Sequence, residues 1–176
     1  MSLPKVSFPN VVSVEHFNSK ATMSSEYSFP LRQFKPRSPN LLVLPCSKKR
    51  PYSKSQSHKR VKKYLSDAGF EEGRDYDRIT LSGLYGPVHW KDETLPTIMS
   101  YDFQLSNFTS KEHLDHISFK LGSVLNVVRK RYKAFVGFLL PKPYLETFGP
   151  IINSFNGVLV NNVQSIVPHF DSHLAI

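Results

Sequence analysis

Short apolar runs alternate with longer stretches of helical spacing along most of this chain. Leu41-Leu42-Val43-Leu44 is wholly apolar and closed by Pro45, the pattern of a strand buried on both faces. Tyr76 to Leu81 predicts a second strand, Ala134 to Leu140 a third ended by Pro141, and Gly157 to Val160 a fourth strand or hairpin arm. Between them the period lengthens. Val61, Tyr64, Leu65 and Ala68 share one face of a helix over Ser55 to Ala68, with Ser55 as candidate N-cap and Gly69 just past its end. Leu114, Ile117, Leu121, Val124, Leu125 and Val128 form the stripe of a longer helix over Thr109 to Tyr132, which Ser110 is placed to cap. Lys142 to Asn153 predicts a third helix.

Strands separated by helices imply an α/β fold: three α/β/α layers around a mostly parallel, four-stranded central sheet. Chemistry in such sheets sits in loops at the carboxyl ends of the strands, where the segments Cys46–Lys54 and Ser82–Pro96 both fall. Residues 1–38 show no sustained period. They read as an extended arm with a short strand at Val11–Val14, and Lys35-Pro36-Arg37-Ser38-Pro39 reads as a linker because its prolines oppose regular structure. The folded domain is then 39–176.

Composition narrows the chemistry. No apolar run approaches the about 20 residues that span a bilayer, and Met1 to Val14 lacks the pattern of a secretory signal, so a cytoplasmic protein without membrane contact is expected. A single cysteine, Cys46, excludes an internal disulfide, a multi-cysteine zinc site and a cysteine-held iron–sulfur cluster. His113 and His116 sit three apart on the long helix without a cysteine or carboxylate partner in evidence, and no metal or other cofactor is expected. Net charge is +9, and Lys48, Lys49, Arg50, Lys54, Lys59, Arg60, Lys62 and Lys63 fall together with no Asp or Glu among them. Such a block suits phosphates, though a solvated helix face has the same look, and it does not distinguish RNA from DNA or a nucleotide.

The stretch Pro45-Cys46-Ser47-Lys48-Lys49-Arg50-Pro51-Tyr52-Ser53-Lys54-Ser55-Gln56-Ser57-His58 is a strand end, a loop and a helix start. Cations beside Cys46 favour thiolate over thiol, hence a nucleophile. A small buried cysteine ending a strand is the plainer alternative.

This stretch resembles the catalytic domain of the archaeosine synthase family, whose pattern is Pro-Cys-x3-Lys-Pro-Tyr-x2-Ser-x2-His. Pro45, Cys46, Pro51, Tyr52, Ser55 and His58 match at the same spacing, and Arg50 stands where the family has Lys. Arg50 keeps the charge but exchanges a compact ammonium for a planar fork. Ser82-Gly83-Leu84-Tyr85-Gly86-Pro87-Val88, then Asp92-Glu93, Pro96 and Tyr101-Asp102-Phe103, resembles more loosely the family's second stretch, from which His89 and Trp90 depart.

The resemblance implies a uracil-DNA-glycosylase-like fold and an activity on tRNA: transfer of free lysine, through its side-chain amine, to the nitrile of 7-cyano-7-deazaguanine in the D-loop. It implies as partners tRNA and lysine, a radical-SAM protein that completes archaeosine, and a protein carrying the transglycosylase-like and PUA parts found in full-length members. Cys46 becomes the candidate nucleophile, His58 or Tyr52 the proton donor, and Asp102 the group that holds or deprotonates the incoming amine. Lys48, Arg50, Ser55, Gly83, Tyr85, Gly86, Glu93 and Tyr101 become candidates for substrate contact, and Lys49, Lys54, Lys59, Arg60, Lys62 and Lys63 for RNA. Each has a structural alternative: a surface histidine, core tyrosines, turn glycines, a capping aspartate. A non-catalytic tRNA-binding subunit and a glycosylase-like, base-recognising enzyme are the competing functions.

Overall fold

The computed structural model describes residues 26–100 and 103–171. Strands β1 (Asn40–Pro45), β2 (Asp77–Ser82), β3 (Gly86–Val88), β4 (Ala134–Phe138) and β5 (Val158–Val160) form one sheet in the order β3-β2-β1-β4-β5. β1 lies between β2 and β4, all three parallel, and β5 extends the parallel set, whereas β3 returns antiparallel to β2. The sheet thus has five strands where the apolar pattern predicts four. The extra one is three residues long, contains Pro87 and begins at Gly86 with φ +71°. At a sheet edge a proline's missing N–H is tolerated, and so short a strand shows no alternation.

The helices are α1 (Gln56–Asp67), the short α2 (Pro96–Met99), α3 (Lys111–Val128) and α4 (Lys142–Ser154). Ser55 and Ser110 cap α1 and α3 as their positions predict, each accepting the N–H three residues on. Successive residues of β1 serve different cores. Leu41 and Val43 pack with Ile79, Leu81 and Phe135 beneath α3 and α4, through Ile117, Leu121, Tyr144 and Phe148. Leu42 and Leu44 pack with Val136 beneath Val61 and Leu65 of α1, and Ile166 and Phe170 close this second core. The result is helix on both sides of a central sheet.

Within the segment read as arm and linker, Tyr27, Phe29 and Phe34 are buried in the first core, and Arg37 pairs with the buried carboxylate of Asp77 at 2.9 Å. Residues 26–38 are therefore packed onto the domain. The strand expected at Val11–Val14 lies outside the described residues. At the amino end of β1, Asn40 donates to the carbonyls of Asp75 and Asp171, both at 2.8 Å, and accepts the Asp171 N–H at 2.7 Å.

Candidate functional site

β1 delivers Cys46 to the carboxyl edge of the sheet, where its N–H still donates to Leu81 at 2.9 Å. Cys46 is 7% exposed, yet its sulfur does not sit in pure hydrocarbon. Tyr144 Oη, from the first turn of α4, lies 3.1 Å from Sγ. That hydroxyl donates to Gln104 Oε1 at 3.0 Å and accepts the Leu105 N–H at 3.3 Å, while Gln104 Nε2 stands 3.7 Å from Sγ. Burial, reinforced by the adjoining sulfur, raises the Tyr144 phenol well above the ordinary tyrosine range, so the hydroxyl stays protonated. Cys46 opens onto a cleft of about 640 Å³ whose walls include Ser47, His58, Arg60, Leu140 and Gln164.

The loop after Cys46 is built to hold that cysteine in place. His58 donates through Nε2 to the carbonyl of Pro45 at 2.8 Å, one peptide before the sulfur-bearing residue. Burial first, and the Arg78 charge second, lower His58 to about 4, so the ring is neutral at pH 7. Its Nδ1 is buried with no hydrogen-bond partner among the described residues. Tyr52 is fully buried and stacks on the His58 ring with centroids 6.1 Å apart, and the Arg50 guanidinium lies 4.8 Å over the Tyr52 ring. Ser55 is occupied as the helix cap, accepting the His58 N–H at 3.2 Å. Glu93 joins Arg78 at 2.7 Å and accepts the Ser53 hydroxyl at 2.5 Å, which ties the loop to β2. Arg78 also reaches Glu72 at 2.9 Å and Thr80 at 2.8 Å.

The second loop approaches Cys46 through one short segment. Ser82 accepts the N–H groups of Leu84 and Tyr85, folding the turn tightly. A Cβ on Gly83 would stand 2.9 Å from the Phe103 carbonyl, so absence of a side chain there lets 103–105, and Gln104 with it, come close. His113, buried on α3, donates to the Gly83 carbonyl at 2.6 Å. Tyr85 is fully buried, edge-on to Tyr27. Tyr101 and Asp102 lie outside the described residues.

The structure therefore gathers Cys46, His58 and Arg60 around one cleft, while the Gly83 turn packs on 103–105, from which Gln104 reaches the Cys46 sulfur. It sets Tyr52, Ser55, Tyr85 and Glu93 among packing, capping and ion-pair contacts. Lys48, Lys49, Lys54, Lys59, Arg60, Lys62 and Lys63 are all exposed, and of these Lys63 pairs with Asp67 at 3.0 Å. Sequence reasoning passed over Tyr144 and Gln104. The available signals were a helix starting right after a strand's carboxyl end at Lys142-Pro143-Tyr144, and a glutamine immediately after Tyr101-Asp102-Phe103. Among the described residues no group of three or more His, Cys, Asp or Glu is placed to hold a metal, and no helix is long and apolar enough to cross a membrane.

Comparison with known proteins places this architecture. The crystal structure of AF0587, a protein of unknown function, superposes with a TM-score of 0.53 at 18% identity, covering 85% of this chain and 45% of that one, which is a likeness of fold alone. An archaeosine synthase from Methanocaldococcus jannaschii is 30% identical over 122 residues, 69% of this chain; the match spans 20% of that relative's length. Residues 26–155 match the family described as Domain of unknown function (DUF5591). The chain thus belongs to the DUF5591 family, a domain that it shares with archaeosine synthase.

Proposed function

We propose that this chain acts on tRNA in archaeosine biosynthesis, joining free lysine through its side-chain amine to the nitrile of 7-cyano-7-deazaguanine in the D-loop. The observation that carries the proposal is the single cysteine at the mouth of β1, within hydrogen-bond distance of Tyr144 and opening onto a cleft that Arg60 also lines. The pattern from Pro45 to His58 and the kinship with a segment of archaeosine synthase support it. The finer fold assignment, uracil-DNA-glycosylase-like, belongs to the same proposal, as does a cytoplasmic location.

The Cys46 sulfur adds to the nitrile carbon, and the S–H proton passes to the nitrile nitrogen, giving a thioimidate. The lysine amine then attacks that carbon, the S–C bond breaks, and the sulfur recovers a proton from the attacking nitrogen, leaving an amidine. Arg50 is assigned to the lysine carboxylate or a phosphate, and Asp102, by resemblance, to the incoming amine. Lys49, Lys54, Lys59, Arg60, Lys62 and Lys63 meet the tRNA backbone. A radical-SAM protein, and a partner bearing the transglycosylase-like and PUA parts, complete the pathway.

Purified chain, tRNA carrying the cyano base and isotopically labelled lysine provide the test, read by mass spectrometry of the nucleosides. Lysine mass gain that disappears in Cys46→Ser is expected. Undiminished turnover in Cys46→Ser would remove the covalent step. Binding without transfer would assign a tRNA-binding subunit, and release of free base without lysine a glycosylase-like enzyme.

A further inference from the structure

A tyrosine hydroxyl has one proton to give and two lone pairs to fill. At Tyr144 all three are accounted for: the proton goes to Gln104 Oε1, and the oxygen faces the Leu105 N–H and the Cys46 sulfur. In this arrangement the thiol donates to Oη, and Gln104 Nε2 points back at the sulfur from 3.7 Å. Cysteine, tyrosine and glutamine therefore close a ring of three hydrogen-bonding groups, drawn from three places far apart in the chain. A structural cysteine ending a strand needs no such ring. The cleft points to a ligand independently, because His58 in its wall keeps Nδ1 buried and without a partner among the described residues.

We propose that Tyr144 is a catalytic residue that stabilises the ionised Cys46 sulfur, with Gln104 as the residue that positions its hydroxyl. When the sulfur carries negative charge, the Tyr144 O–H turns from Gln104 Oε1 to Sγ and the Gln104 amide adds a second, longer N–H contact. This rests on the lysine-transfer reading and specifies a step in it. As the S–C bond of the thioimidate breaks, its electron pair returns to sulfur, where the Tyr144 hydroxyl receives it while keeping its own proton. The proton that finally restores the thiol comes from the attacking amine. A phenol held protonated by its burial suits a group that donates a hydrogen bond without giving the proton up. The other titratable groups facing this arrangement are Tyr52 from the loop, which acts on Tyr144, and His58 and Arg60 from α1, which line the cleft with Cys46.

Because Cys46 is the chain's only cysteine, its alkylation by iodoacetamide reports on this sulfur alone. Losing one hydrogen bond to a charged group should slow labelling of Tyr144→Phe about tenfold at neutral pH. The same loss should move the whole pH–rate profile of labelling to higher pH, with a smaller displacement for Gln104→Ala. Lysine transfer should fall with kcat, not through the KM for lysine. Wild-type labelling and an unmoved pH profile in a folded Tyr144→Phe would overturn the proposal. Should that variant lose cooperative unfolding, Gln104→Ala decides, and wild-type labelling there has the same force. If wild-type chain transfers no lysine, the functional reading fails by itself, and the labelling contrast still judges Tyr144.

Discussion

Replacing Glu93 with alanine separates two roles that one acidic residue has been given, substrate contact by resemblance and internal ion pairing by geometry. The Glu93 side chain is 10% exposed and its Arg78 partner 5%, with 2.7 Å between them. Removing one member of a buried pair costs about 3–5 kcal/mol, because the other charge is left desolvated. Arg78 keeps Glu72 at 2.9 Å and Thr80 at 2.8 Å, which selects the lower end, about 3 kcal/mol. For a domain of this size that corresponds to a fall of about 6–12 °C in melting temperature. Glu93→Gln, which keeps an acceptor for Ser53 but not the charge, should fall between wild type and alanine. Thermal and urea unfolding give the stability, and lysine titration of the transfer reaction gives the KM, which should stay within about twofold of wild type, far less than the loss of a charged substrate contact would cause. An unchanged melting temperature together with a raised KM for lysine would refute the reasoning and put the carboxylate in front of substrate.

Two further outcomes follow from neighbouring features. His58 is held at about 4, below its ordinary 6.5, so as pH falls the unfolded chain takes up the proton first; stability should therefore decline from about pH 6.5 to about pH 4. One such group contributes at most about 1.4 kcal/mol per pH unit, and urea midpoints across that window should decline less steeply in His58→Gln than in wild type. The joint Lys59→Ala, Arg60→Ala and Lys62→Ala variant should weaken tRNA binding and lower the log–log salt slope by about 2, measured by titration at several salt concentrations. Lys63→Ala, whose ammonium already pairs with Asp67, should alter it less.

Much of this architecture was readable from periodicity, because parallel strands buried on both faces announce themselves as unbroken apolar runs and capped helices as 3.6-residue stripes. Asn40–Pro45, Gln56–Asp67 and Lys111–Val128 lie within a few residues of the predicted elements. Gly86–Val88 escaped because three residues containing a proline and a positive-φ glycine carry the marks of a turn. For the site, the resemblance of one loop and the helix after it to a known pattern singled out Cys46 and His58, which the folded chain places on one cleft. Local spacing could not find Tyr144 or Gln104, which reach the sulfur from 98 and 58 positions away. Nor could spacing reveal what His58 does. Whether an imidazole faces substrate or grips a backbone carbonyl depends on where the strand end lies relative to the helix, and only the folded arrangement fixes that.

The two sides of β1 have different guardians, and the family match at 26–155 includes the whole of one but only the α1 part of the other. Leu42, Leu44 and Val136 are roofed in part by Ile166 and Phe170, and Asp171 is fastened to the first residue of β1 through Asn40. Val163 and Gln164 stand in the cleft wall on that same side. Excising the unit at residue 155 would strip an edge strand, half a roof and one bank of the cleft in a single cut. Anyone transplanting this domain should carry it through Asp171.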